Sequence, residues 1–232
     1  MRDLKQIDSI FFDLDGTLWD GVECYVQGFN DFFKIKNIEK QFTKDDLYGL
    51  MGLEEDKYLE LTLPEFSKEE RKLMYKEIID LQYEHIKKNG GEIYHHVQMG
   101  LKVLSTDYKL FIVSNCPEFT IKYFMDWAGI KEYITDSMAH GMNFKPKNEN
   151  LRFLVDKYSL KTPVYVGDTD SDRKQSELAN MPFAYVSYGF GQTDTHDYKF
   201  DSFIELTDYF DRKKKVNSNY PQPGQSCQSK RY

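Results

Sequence analysis

The sequence predicts an α/β fold: a parallel sheet core with helices on both faces and an inserted α-helical segment near its start. Three observations carry this. Short apolar runs recur at 7–13 (IDSIFFD), 109–114 (KLFIVS), 163–168 (PVYVGD) and 182–188 (PFAYVSY), several ending in a polar residue where a buried strand would meet its loop. Between them, Ile121, Phe124, Met125 and Ala128, and then Leu151, Leu154, Val155 and Tyr158, recur at the three- and four-residue spacing of amphipathic helices. Strands alternating with helices imply a parallel sheet covered on both faces, with a site at the carboxyl ends of the strands. Third, the alternation lapses from about 20 to 89.

In chain order, the first strand is 7–13, closed by a carboxylate and a Gly. The interval 20–89 offers no convincing strand and instead shows helical periodicity, as in Met74, Ile78, Leu81 and His85. Ser67 with Glu70 three residues on forms a capping box that starts its last helix, and Asn89-Gly90-Gly91 stops it. The later strands and helices follow, and from Lys213 the chain reads KKK and then Asn, Ser, Pro, Gln and Gly. The expected organisation is therefore a core from 1–19 and 90–212, a helical cap from 20–89 and a disordered tail from 213–232. At 232 residues the chain suits one domain with a large insertion or two small ones.

Hydrophobic residues make up 40% and charged residues 30%, enough for a core and unlike a wholly disordered chain. A net charge of −7 argues against nucleic-acid binding through the overall field, so any phosphorylated ligand needs a local cation. No apolar run approaches a membrane span and residues 1–7 lack the apolar stretch of a signal peptide, which makes the cytoplasm the expected location. Cys24, Cys116 and Cys227 form no CxxC pair and read as free thiols.

The chemistry gathers in two loops. Asp13, Asp15 and Thr17 alternate in DLDGT directly after the first strand. Carboxylates so close need a proton or a cation between them. GDTDSD (167–172) follows another strand of the same sheet, so the two loops can meet at one edge. Oxygen ligands from both, with room for water and phosphate, suit Mg²⁺ better than zinc.

DLDGT, then VSN (113–115), then a lysine, then GDTDSD make an ordered set that resembles the haloacid dehalogenase-like hydrolases over about residues 10–190. The insertion after the first motif is similar to the cap of the subgroup containing phosphoglycolate phosphatases. The resemblance implies a Rossmann-like core and a Mg²⁺-dependent phosphatase acting on a small phosphorylated metabolite. It makes Asp13 the nucleophile, and Asp15 the general acid and base, with a backbone carbonyl facing the metal. Ser114 would bind a phosphate oxygen, with Thr17 and Asn115 as further substrate-loop residues. Asp168 would hold the metal with Asp13, and Asp172 would bind it directly, through water, or orient the lysine. Asp170 sits at a variable position and is expected to be solvated. For the lysine, a KP pattern points to Lys145 and a K-x-E-N-hydrophobic pattern to Lys147, with the balance toward Lys147.

Other features have plainer readings. His95 and His96 are expected to be one partly buried and one exposed histidine, and Trp19 and Trp127 packing residues, Trp19 being near enough to the first loop to line a pocket. Cys116, two residues after Ser114, bears on thiol-reagent sensitivity without a catalytic role. The stretch 47–53 (LYGLMGL) resembles a cap loop directed into the site, offering Tyr48 and Met51 but no cation. Rival readings are a phosphosugar mutase or pyrophosphatase on the same core, or a catalytically idle binding protein. Against the mutase, Tyr25 stands where related mutases carry His.

Overall fold

The computed structural model describes residues 7–218. The chain opens with β1 (Ser9–Phe12), makes a short strand β2 (Trp19–Asp20), and passes through four helices: α1 (Val22–Ile35), α2 (Lys44–Tyr48), α3 (Glu55–Thr62) and α4 (Lys68–Asn89). It returns through β3 (Glu92–Ile93) and continues as α5 (Val97–Leu104), β4 (Lys109–Ser114), α6 (Thr120–Ala128), β5 (Asp136–Ala139), α7 (Lys147–Lys157) and β6 (Pro163–Gly167). The last elements are α8 (Asp170–Leu178), β7 (Phe183–Val186), β8 (Tyr198–Phe200) and α9 (Phe203–Ser218).

Six strands form one sheet in the order β5-β4-β1-β6-β7-β8, and every pairing in it is parallel. Central β1 is buried on both faces, which is why it reads as an unbroken apolar run. Its alternate side chains feed two cores. Phe11, Phe111, Tyr165 and Phe183 pack with Leu151 and Leu154 on one face. Ile10, Phe12, Ile112 and Val166 pack on the other with Phe124, Phe203, Leu206 and Phe210. The expected α/β class, a Rossmann-like parallel core, is what the chain adopts.

Helices α1 to α4 form a layer beside the carboxyl ends of the strands, with α1 packed along α4. The capping box predicted for α4 is present: Glu70 accepts from the Ser67 N–H at 2.8 Å while the Glu70 N–H donates to the Ser67 hydroxyl. Gly90, at φ 63°, ends the helix, and a side chain there would collide with the Trp127 ring. The two crossings between sheet and helical layer pair as a ribbon, with Trp19 opposite Ile93 and Asp20 opposite Glu92.

Several expectations change. Strands β5 and β8 were not anticipated, because DSMA and YKF are short edge strands without an apolar run. α9 runs on to Ser218, past the expected start of the tail at 213, with its first turns anchored by Phe203, Leu206 and Phe210. Residues 219–232 of that expected tail lie outside the described residues, as does Cys227. His95 and His96 are both exposed, because His96 occupies the left-handed turn ahead of α5 and carries both rings outward. Trp127, expected as a packing residue, lays its ring over Gly90 and is 45% exposed. Cys24 and Cys116 are free and buried.

Phe111 stacks on Phe11 with ring centroids 4.4 Å apart and is fully buried. Phe111→Ala is expected to cost about 3–5 kcal/mol of stability, read as a lower urea midpoint.

Candidate active site

The register of the sheet places the motif residues. Phe12 lies opposite Ile112 of β4 and Val166 of β6, and the Asp13 N–H donates to the Val166 carbonyl at 2.8 Å. Asp13 therefore leaves the sheet between Ser114, at the end of β4, and Asp168, just past β6. The carboxylate oxygens of Asp13, Asp168 and Asp172 lie within 4.8 Å of one another, all buried.

Among the described residues, one cation meets them. Lys147 Nζ donates to Asp13 at 2.9 Å and to Asp172 at 2.6 Å, with 2% of its side chain exposed. Lys145, the other candidate, is exposed and 4.0 Å from Glu149. The cause is local. α7 begins at Lys147, whose side chain faces the sheet, whereas Lys145 precedes Pro146 in the loop outside. Burial works against the charge on Lys147, yet Asp13 and Asp172 outweigh it and hold the ammonium above its ordinary value.

Each carboxylate has a distinct environment. Asp172 accepts from Lys147 and from the Tyr165 hydroxyl on one oxygen, and from the N–H and hydroxyl of Thr169 on the other. That fills the four lone-pair sites of a carboxylate, so Asp172 is fitted to orient Lys147. Asp168 accepts from the N–H groups of Phe190 and Gly191 and from the Thr17 hydroxyl. Burial, then the charges of Asp172 and Asp13, push its carboxyl well up. Burial also raises Asp13, to about 6, against the pull of Lys147. Gly16 is needed beside them: its φ is 81°, and a Cβ there would fall 2.3 Å from an Asp168 oxygen.

Three buried carboxylates face one ammonium, an excess of negative charge that a divalent cation would balance. Hard oxygen donors of this kind fit Mg²⁺. Asp13 and Asp168 would hold it.

Asp15 lies outside that cluster. Its Oδ1 accepts from the Tyr25 hydroxyl at 2.7 Å and the Trp19 indole N–H at 3.0 Å. Burial raises its carboxyl to about 7, opposed by the Tyr25 hydrogen bond. Trp19 is thus both packing residue and donor, fully buried against Phe124. Thr17 is turned from the cavity, its hydroxyl on Asp168 at 3.3 Å and its carbonyl accepting from Tyr188. Thr17 was expected among the substrate-loop residues; here its hydroxyl is placed on the Asp168 carboxylate. Asp170 is half-exposed and paired with Arg173 and Lys174.

Above Asp13, Asp15 and Ser114 a cavity of about 60 Å³ is closed by the helical layer. Met51 and Gly52 of the 47–53 loop line it, and Asn115 donates to the Gly52 carbonyl at 3.1 Å. Tyr25, Glu55, Tyr58, Tyr75 and Gln82 complete the far wall, and Cys116 also lines it. These helical residues carry no motif, and only their recurrence on facing helices could have marked them. The glycine-flanked YGFG at 188–191, which supplies the N–H donors to Asp168, was the more legible omission.

A family model described as haloacid dehalogenase-like hydrolase matches residues 10–186, spanning the sheet from β1 to β7. The chain belongs to the haloacid dehalogenase-like hydrolase family. It is 25% identical to a phosphoglycolate phosphatase of Photobacterium profundum over 90% of this chain and 97% of that one. Among solved structures, a predicted phosphoglycolate phosphatase of Haemophilus somnus superposes with a TM-score of 0.77 at 21% identity, covering 88% of this chain and 98% of that chain. A β-phosphoglucomutase of Clostridium difficile superposes with a TM-score of 0.71 at 18% identity, over 91% and 98% of the two chains. The last two likenesses are of fold. No helix among the described residues of this hydrolase is long and apolar enough to cross a membrane.

Two outcomes follow from the site. Carboxyls whose folded pKa stands above the unfolded value hold their proton more tightly when folded, so they contribute stability below about pH 4 that is lost as pH rises through the folded pKa. With Asp13 at about 6 and Asp15 at about 7, the Tm of chelator-treated protein should fall across that window. Added Mg²⁺ should raise Tm more at the top of the window than at the bottom, and an equal rise throughout would contradict the charge argument. Separately, Lys147→Ala should lower kcat by about 10²- to 10³-fold, while Lys145→Ala stays within about twofold, both measured as phosphate release.

Proposed function

We propose that this hydrolase is a Mg²⁺-dependent phosphatase that releases phosphate from a small phosphomonoester through an aspartyl-phosphate on Asp13. The observation that carries the reading is the pairing of two separate carboxylates at one cavity: Asp13, buried with Lys147, and Asp15, held apart by Tyr25 and Trp19. One is fitted to attack and the other to move a proton. The phosphoglycolate phosphatase relative supports the reaction class.

In the first half-reaction an Asp13 oxygen forms a bond to phosphorus as the ester P–O bond breaks, and Asp15 gives its proton to the departing alkoxide. In the second, Asp15 takes a proton from water as that water attacks phosphorus and the Asp13–phosphorus bond breaks. Free phosphate leaves and both carboxyls return to their starting states. A carboxyl raised to about 7 is suited to both directions near neutrality. Ser114 donates to a phosphate oxygen and Lys147 offsets its charge. Asp13 and Asp168, with the Asp15 carbonyl, would hold Mg²⁺, which would supply further neutralisation of the phosphoryl oxygens. Helices α1 to α4 act as a cap that excludes bulk water. The substrate is a phosphorylated metabolite and the working location is the cytoplasm.

Tyr25 argues against the mutase alternative. Its hydroxyl is spent as a donor to Asp15, and burial followed by the Asp15 charge raises the phenol well above its ordinary value, so it is unfit as a base for a sugar hydroxyl.

Wild-type protein should release phosphate from p-nitrophenyl phosphate only with Mg²⁺ present, and Asp13→Asn should lose at least about 10³-fold of that rate. Turnover by Asp13→Asn at the full rate would refute the mechanism.

A further inference from the structure

The phosphatase reading leaves the leaving group open, and the cavity wall constrains it. Among the described residues, the charged side chains in that lining are Asp13, Asp15 and Glu55, all acidic, and no Lys, Arg or His is with them. Lys147 is committed to Asp13 and Asp172 at the phosphate end. An alcohol leaving from Asp15 toward the helices therefore passes into a wall that is anionic and aromatic.

Tyr58 and Tyr75 are buried side by side, ring centroids 6.0 Å apart and planes tilted by 56°. Burial raises the phenol of Tyr58, with a further push from Asp15, and that of Tyr75, with further pushes from Tyr58 and Glu55. Both rings line the same cavity as Asp15 and Glu55. Glu55, the first residue of α3, faces both this cavity and a wider groove of about 770 Å³ between α4 and the loops after β4 and β5. His140 and Lys72 lie on the groove side of Glu55, outside the inner lining.

A carboxylate-bearing alcohol such as glycolate would set its anion among these acids with no inner cation to receive it. A protonated amine would meet the Glu55 carboxylate beside the two tyrosines that line the cavity with it. We propose that the released alcohol carries a cationic amine recognised by Glu55 with Tyr58 and Tyr75, so that the substrates are short phosphorylated amino alcohols. The proposal rests on the phosphatase reading and adds the specificity element to it.

The test compares kcat/KM for phosphoethanolamine and for phosphoglycolate, with p-nitrophenyl phosphate as a third substrate, in wild type, Glu55→Gln and Glu55→Lys, all with Mg²⁺. Wild type should favour phosphoethanolamine by at least about tenfold, Glu55→Gln should shrink that ratio by about tenfold, and Glu55→Lys should reverse it. Ethanolamine should also inhibit the wild type more strongly than glycolate, a measurement that needs no variant. A wild type that prefers phosphoglycolate, that ignores phosphoethanolamine, or whose ratio is unmoved in both variants overturns the proposal. If p-nitrophenyl phosphate is still hydrolysed in those cases, the phosphatase reading stands. Loss of turnover on all three substrates in the wild type sinks both.

Discussion

The interaction on which the site depends is the buried contact of one ammonium, Lys147, with two carboxylates, Asp13 and Asp172. Taking such charges out of water costs several kcal/mol per ion, and the attraction between them recovers that only when the geometry is held and the remaining lone pairs are filled. The surrounding structure supplies both. Tyr165 projects from β6 to Asp172, Thr169 caps α8 and binds the same carboxylate, and the backbone at Phe190 and Gly191 closes around Asp168. Tyr165 and Thr169 are near Asp172 in sequence, but Asp13, Lys147 and the 190–191 backbone come from separate parts of the chain, so the pocket forms only once the sheet has assembled.

The parallel topology makes that assembly economical. β1 lies between β4 and β6, and the register that aligns Phe12 with Ile112 and Val166 brings Ser114 and Asp168 each one step beyond the level of Asp13. A slip of one residue in either pairing would turn the motif side chains to the wrong face. The apolar alternation of Ile10 and Phe12 against Phe11 guards against it, because both faces of β1 are packed.

Those same features decide what could be read from the amino-acid order. Central strands were legible as apolar runs, α4 by Ser67 and Glu70 at one end and Gly90 at the other, and the carboxylates by their spacing after strands. Edge strands β5 and β8 were not, since a strand paired on one side needs no continuous apolar run. Spacing left Lys145 and Lys147 in competition; the direction in which α7 starts separates them in space. The Thr17 hydroxyl reaches Asp168 across 151 residues, a contact that no local spacing marks. The Tyr25 bond to Asp15 and the Glu55 wall depend on how separate helices lie over the sheet, which no local pattern encodes.

The ribbon of Trp19–Asp20 against Glu92–Ile93 has a consequence for how such a chain can change. Because the helical interval departs and returns on adjacent strands, its ends are about one strand spacing apart, roughly 4.8 Å. Seen from the sheet, everything between them closes like the tip of a hairpin. The entropic cost of a longer or shorter interval grows only slowly with its length. Helices there can be lengthened, trimmed or exchanged without rethreading a strand or disturbing the Asp13 register, so binding preference can diverge while the reacting groups stay in place.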